Sequence, residues 1–285
     1  MRRLLLTLGL ALLPLITGCA RNYFNVPQNS FADEVKILGV APIMVDADSD
    51  IRYPQKGALI DLITAQNRLH EEELVRMLKK SNSFYTVTKL DADPKTLFSS
   101  LLFRRERRDD ASIRYNKYFW KEEPLADLIR KNSLDAVLLV VISGITRPDK
   151  IYSPTLLDAC EGDYNFLIMS AQILDAKGNI LWEYPNFRTR ILSYTPLLNL
   201  QYPDFDESKA NMSVKTPVKF KTLEGIRKAL DKRRLDLLMR ETGDEELYTT
   251  QFEAMTSLLE LNRDDNTTAK PAQPPQQQST GGQKP

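Results

Sequence analysis

Three aspartates spaced two apart, Asp46, Asp48 and Asp50, follow the apolar run Val35 to Val45. Carboxylates just beyond the C-terminal end of a central strand can hold a divalent cation or act on a glycan. These three are therefore the candidates for metal-assisted hydrolysis, set against a plain solvated acidic loop. There is a single histidine, His70. It falls inside a helical pattern with no serine signature near it, so a Ser-His-Asp triad has no support, and a hydrogen-bonded, half-buried imidazole is expected. The two cysteines, Cys19 and Cys160, lie far apart, and no CxxC or HExxH pair occurs. A zinc site needs three or four clustered N or S ligands, so none is expected. Nor is there a G-x-S-x-G elbow, a P-loop, a Rossmann glycine pattern or an EF-hand loop. The residues thus point to a chain without catalytic groups, cofactor or metal, with Asp46, Asp48 and Asp50 carrying the rival reading.

The remaining reactive group is the thiol of Cys19. Residues Met1 to Gly18 run from Arg2 and Arg3 through the apolar stretch Leu4 to Ile16 to the small residues Thr17 and Gly18. That order of charge, hydrophobe and small residues is a secretory signal. Its apolar part is about a dozen residues, short of the roughly 20 a spanning helix needs. Ile16-Thr17-Gly18-Cys19 resembles the lipobox of bacterial lipoproteins. The resemblance implies that the Cys19 thiol takes up acyl chains of the palmitate kind and that cleavage leaves Cys19 as the new amino terminus. A thiolate is the nucleophile such a step requires. One acyl chain binds a membrane only marginally, whereas two or more anchor it stably. Ala20 stands where an aspartate would retain a lipoprotein in the inner membrane, which favours the outer membrane on its periplasmic side. The alternative is an ordinary secreted protein in which Cys19 is incidental. Cys160 is then alone and cannot form an intrachain disulfide. It reads as a buried inert thiol, with an intermolecular disulfide or a reactive thiol as alternatives.

Removing Arg2 and Arg3 takes the net charge from +1 to about −1, which gives no reason to expect nucleic acid or a strongly charged partner. Residues 19–34 read as a polar tether and 35–262 as one periplasmic domain. Residues 263–285, rich in Pro, Gln, Gly and Thr with no hydrophobe larger than alanine, read as a disordered tail, because they cannot bury enough apolar surface to offset ordering entropy.

The elements that would position these residues follow from hydrophobic period. Val35 to Val45 is a near-continuous apolar run, as in a strand covered on both faces. Gly57 to Lys80 repeats leucine and isoleucine at mostly i, i+3, i+4 spacing, which predicts a helix. Phe84 to Leu90 alternates as a half-buried strand. A helix is expected after Pro94, ending in the charge run Arg104 to Asp110 as a solvated face. Glu122-Glu123-Pro124 opens another helix that stops near Asn132. Asp135 to Ile145 is the most apolar stretch of the mature chain and predicts a central strand. Tyr164 to Leu174 and Asn179 to Tyr184 flank Asp175-Ala176-Lys177-Gly178 as a hairpin. Two helices are expected last, Thr222 to Arg240 and one capped by Thr242-Gly243-Asp244-Glu245.

This order predicts an α/β fold: a three-layer-like sandwich with a mixed sheet of about five strands and helices on its faces. The run ILGVAPIMV, the helix before SFYTVTKL, then EPLADLIRKNSLDAVLLVVISG and FLIMSAQILDAKGNILWE resemble the envelope modules of the curli secretion lipoprotein family and of the amino-terminal domain of the Tol translocation protein. The resemblance spans roughly residues 35 to 240 and implies their strand, helix and hairpin layout. The chain departs from it at Asn132-Ser133-Leu134-Asp135, where a Gly-Ala-Asp run is common, and in long insertions at 94–120 and 190–218. No pair of extended amphipathic hairpins is evident, so pore formation is not carried over.

Residues 190–218 keep aromatics and prolines without a clean period. A connection of that length is often functional, which makes Tyr194, Tyr202 and Phe205 the candidate partner-binding residues. The reading that results is a non-enzymatic lipoprotein, bound to the membrane through lipid on Cys19, that binds another envelope protein or a second copy of itself in secretion or envelope assembly.

Overall fold

The structure is a computed structural model that describes residues 23–109, 113–186, 194–206, 216–235 and 240–261. The signal segment, Cys19, Ala20 and the C-terminal tail lie outside the described residues.

The chain enters through the helix α1 (Gln28–Glu34). The tether expected over residues 19–34 is shorter than read, because Tyr23, Phe24 and Phe31 are buried in the core. Phe24 bridges to Trp182 and packs edge-on against Phe31 at 4.8 Å. Three large rings in a dozen residues bury too much apolar surface to remain in water.

The single strand expected over Val35–Val45 is two, β1 (Ile37–Val40) and β2 (Met44–Asp46). The break falls at Pro42, which has no N–H to give a ladder. Beside it the long helix α2 (Lys56–Lys80) supplies the missing partners: Ile43 N–H donates to Glu71 and Asn67 donates to the Ile43 carbonyl. Next come β3 (Thr86–Lys89) and α3 (Pro94–Leu101), the latter capped by Asp93 accepting from Thr96 N–H.

The charge run is not a helix end. It forms β4 (Leu102–Arg108), paired antiparallel with β5 (Tyr115–Trp120). Arg105 bonds Asp46, Arg107 bonds the Thr146 carbonyl, and Arg104 lies 3.9 Å over the Phe119 ring. Partners remote in sequence fix these arginines, and an isolated helix would have left them in water.

The helix α4 (Glu122–Lys131) leads to the two longest strands, β6 (Ala136–Tyr152) and β7 (Ala159–Asp175). The hairpin to β8 (Ile180–Tyr184) turns at Gly178, whose φ of 78° suits glycine. Short pieces follow: β9 (Leu198–Asn199), β10 (Gln201–Pro203), β11 (Val218–Phe220) and α5 (Leu223–Leu230).

The helix expected to continue to Arg240 ends at Leu230. Beyond it β12 (Arg233–Leu235) pairs with β13 (Glu241–Glu245), and the cross-strand neighbours Arg233 and Glu245 form an ion pair at 3.2 Å. The expected capping box at Thr242–Glu245 is therefore strand. The last helix, α6 (Glu246–Thr256), starts after Glu245 without a side-chain cap.

The main sheet has the order β3-β1-β6-β7-β8, with β2 beside β6 and β9 beside β7. Pairings among β3, β1, β2 and β6 are parallel, and those of β6, β7 and β8 antiparallel, so the sheet is mixed as the sequence predicts. Side chains of β6 alternate between two cores. Leu138, Val140 and Ile142 pack with Leu59, Ile63 and Leu74 of α2 and Tyr248 and Phe252 of α6. Val137, Leu139 and Val141 pack with Leu97 and Leu101 of α3 and Leu125 and Ile129 of α4. A strand covered on both faces needs an apolar residue at every position, which is why Asp135–Ile145 has no polar period.

Gly144 marks a close approach of chains. A Cβ there would stand 2.5 Å from the Asp50 carbonyl oxygen and the Ile51 nitrogen, and Gly144 N–H donates to Ser49 at 2.8 Å. Because the obstacle is backbone, Gly144→Ala is expected to cost ~1–3 kcal/mol, read as an earlier midpoint in urea unfolding. An unchanged midpoint would mean that the 49–51 loop moves aside freely.

Candidate functional site

Among the described residues the three acids do not gather into a metal-sized cluster. Asp46 is 1% exposed. Its Oδ2 accepts from the Tyr118 hydroxyl at 2.9 Å and from Arg105 Nη1 at 2.5 Å. Burial, with the Asp46 charge added, pushes the Tyr118 hydroxyl well above its ordinary pKa, so Tyr118 stays a donor. Asp48 is exposed, and its carbonyl accepts from Arg105. Asp50 accepts from Arg52 Nε at 2.7 Å and lies 3.8 Å from Arg107. Burial alone would raise the Asp50 pKa, but its hydrogen bonds and these cations lower it. Each side chain of the Asp46/Asp50 pair serves an arginine that holds the β4–β5 hairpin and the 49–51 loop.

His70 is hydrogen-bonded, as expected, but fully buried where a half-buried imidazole was expected. Its ring stacks on Tyr248 at 4.1 Å. Nδ1 stands 3.2 Å from Glu73 and 3.5 Å from Glu245, close enough for the three to hold a metal ion. The same distances suit hydrogen bonds, and the other carboxylate oxygens are already met by Thr249 and Arg233. Nε2 is buried without a partner among the described residues, whereas a metal-bound imidazole normally donates its second N–H to an acceptor. The cluster joins α2 to β13 and α6. Glu245 is remote from His70 in sequence, so spacing gives no hint of it.

The proposed binding loop divides. Tyr194 is a core residue: its hydroxyl donates to the Met169 carbonyl and its ring lies 5.6 Å from that of Tyr184. Tyr202 faces solvent on β10 and Phe205 is half-buried. Tyr194 turns inward because an aromatic beside an open sheet edge gains more by covering it than by standing in water. Cys160 is half-buried and free, less enclosed than the buried thiol expected.

What the structure adds is a projecting ribbon. Beyond Thr146 and Asn165, β6 and β7 continue as a two-stranded hairpin to Tyr152 and Ala159. The six pair-to-pair steps at about 3.4 Å extend it by roughly 20 Å. Both strands run past the ends expected at Ile145 and Tyr164 and include Pro148 and Gly162, residues that weaken a strand interior. A ribbon with open edges tolerates both.

The turn is locked. Ser153 N–H donates to the Asp158 carbonyl at 2.9 Å, and Asp158 N–H donates back to the Ser153 hydroxyl at 3.2 Å. Within it Leu156 sits at φ 62°, a left-handed conformation that a branched side chain adopts only when its surroundings impose it. This turn carries Tyr152, Leu156 and Leu157 at 54%, 74% and 83% exposure. Leu156-Leu157 between Pro154 and Asp158 is the one signal the sequence held: an apolar pair inside turn chemistry.

At the root of the ribbon lies a cleft of about 450 Å³. Phe166 of β7, Leu197, Leu198 and Leu247 give it apolar walls, and Arg147, Lys221 and Lys232 line it with Asp149 and Glu246. The segment 195–199, part of the connection singled out in the sequence, forms one wall.

No protein-family model and no curated protein matches the chain. Among solved structures, the chain is similar to a neuraminyllactose-binding hemagglutinin homolog from Helicobacter pylori, at 10% identity and a TM-score of 0.34, over 79% of this chain and 84% of the other.

Proposed function

We propose that the protein is a non-enzymatic lipoprotein of the bacterial envelope, anchored by acyl chains on Cys19 in the outer membrane and facing the periplasm, where it binds another envelope protein through the tip of the β6–β7 ribbon. The observation that carries the reading is the locked turn that holds Leu156 and Leu157 in water. Singly exposed leucines are ordinary. A strained turn that presents two adjacent ones, with Tyr152 alongside, spends stability on exposure and fits a hot spot awaiting a pocket.

Charge favours a protein over a lipid surface. Lys150 is paired with Glu161 at 2.9 Å, which leaves Asp158 as the charge beside the exposed leucines of the turn. An acidic tip repels anionic lipid headgroups and suits a slot with a basic rim. The strand, helix and hairpin order in which the sequence resembles the envelope modules named above fits this role and supplies no partner by itself.

A photo-crosslinking residue placed at Leu157 in intact cells should yield a discrete adduct with an envelope protein. Leu156→Asp with Leu157→Asp should weaken that capture roughly 100-fold, about 2.7 kcal/mol, without moving the thermal midpoint, since neither side chain is buried. Adducts with lipid alone, or undiminished capture by the double variant, would sink the reading. An adduct of twice the chain mass would replace the foreign partner with a second copy.

A further inference from the structure

The charges lining the cleft at the ribbon root do not cancel. Arg147 lies 3.6 Å from Asp149 and over the Phe166 ring at 4.6 Å. Lys232 pairs with Glu246 at 2.7 Å. Lys221 has no carboxylate: among the described residues its ammonium makes no ion pair or hydrogen bond. Its backbone is fixed all the same, with the N–H donating to the Leu200 carbonyl and the carbonyl accepting from the Tyr53 hydroxyl at 2.8 Å. Both acids on the lining are taken, so the net charge of the site resides on Lys221.

We infer that this cleft is a binding site for a small amphipathic monoanion, a carboxylate on an apolar body, with Lys221 as its counter-ion and the apolar wall of Phe166, Leu197, Leu198 and Leu247 against the body. The volume falls in the range of small-ligand sites, roughly 300–1,000 Å³, and the composition is theirs, apolar walls with few polar groups. Burial holds the Lys221 pKa below the ordinary lysine value, the mark of a cation removed from water without a partner. A bound carboxylate would supply that partner and offset the cost of burying the ammonium. A neutral ligand of the same shape would gain only the apolar contacts. The Asn199 amide and the Thr195 hydroxyl stand on the same wall for any second polar group. The inference does not depend on the ribbon tip, and either can fail alone.

The test uses the folded protein and 8-anilinonaphthalene-1-sulfonate, an aromatic monoanion that fluoresces when it leaves water. Saturable binding at one site is expected, displaced by decanoate and at least tenfold less well by decanol. Lys221→Met should lose at least tenfold in dye affinity and abolish the preference for acid over alcohol, while its unfolding midpoint stays unchanged. Lys221→Arg should retain both. N-acetyl-leucyl-leucine, competed in parallel, separates the sources of such a carboxylate: stronger displacement by decanoate assigns an acyl chain, stronger displacement by the dipeptide a peptide end. Absence of saturable binding, or a Lys221→Met variant that binds and discriminates as the parent does, would overturn the inference.

Discussion

Replacing Cys19 with alanine should move the protein from the membrane pellet to the soluble fraction and remove all incorporation of labelled palmitate. The effect is expected to be nearly all-or-none. Each buried methylene contributes about 0.8 kcal/mol, so two or more chains hold a protein where a single one does so only reversibly. Among the described residues no helix is long and apolar enough to cross a membrane. Among the described residues the first buried one is Tyr23, four residues after Cys19, and a segment of that length reaches at most about 14 Å when extended. An acylated Cys19 would thus hold the folded domain against the bilayer, and its loss would alter position as well as retention. If the Cys19→Ala protein stayed in the pellet through a salt wash, the lipid anchor would be the wrong explanation of its location.

The second large effect is expected at Asp46. Asp46→Ala leaves the Tyr118 hydroxyl and the Arg105 guanidinium without their common acceptor, the former wholly buried. Breaking a buried pair from one side costs ~3–5 kcal/mol when both partners are enclosed. Arg105 is 30% exposed and can recover some hydration, so ~3 kcal/mol is expected. For a domain of this size that lowers the thermal midpoint by roughly 6–12 °C. Asp46→Asn keeps an acceptor for Tyr118 and should cost less than half as much. A cation site at Asp46, Asp48 and Asp50 predicts the reverse. Removing one of three clustered carboxylates would relieve repulsion in the metal-free protein, so stability would hold or rise, and added divalent cations would raise the midpoint of the parent. A stable Asp46→Ala variant, or a parent protein stabilised by such cations, would restore the metal-assisted reading.

The architecture was largely legible before the structure. Leu59, Leu62 and Ile63 at helical spacing gave α2 nearly to the residue, and the apolar run after Asp135 required a strand with both faces covered. The hairpin turn at Gly178 was plain from Asp175-Ala176-Lys177-Gly178. These signals are local, since period and turn chemistry depend on residues a few positions apart. The errors share the opposite property. Arg104–Arg108 became a strand because Asp46, Phe119 and the Thr146 carbonyl receive its arginines, and Arg233 left its helix for Glu245. Tyr194 went inward because Met169 and Tyr184 lie there.

The same division governs function. The expectation of a membrane anchor comes from one contiguous segment, Met1 to Ala20, because such a signal is read as a linear sequence and needs no fold. The candidate contact surfaces depend on residues far apart in sequence. Leu156 and Leu157 matter because two strands converge to lock the turn that exposes them. Lys221 matters because Asp149 and Glu246 are each claimed by another cation. Whether a charge is spent or free is a property of its neighbours in space, and only folding assigns those.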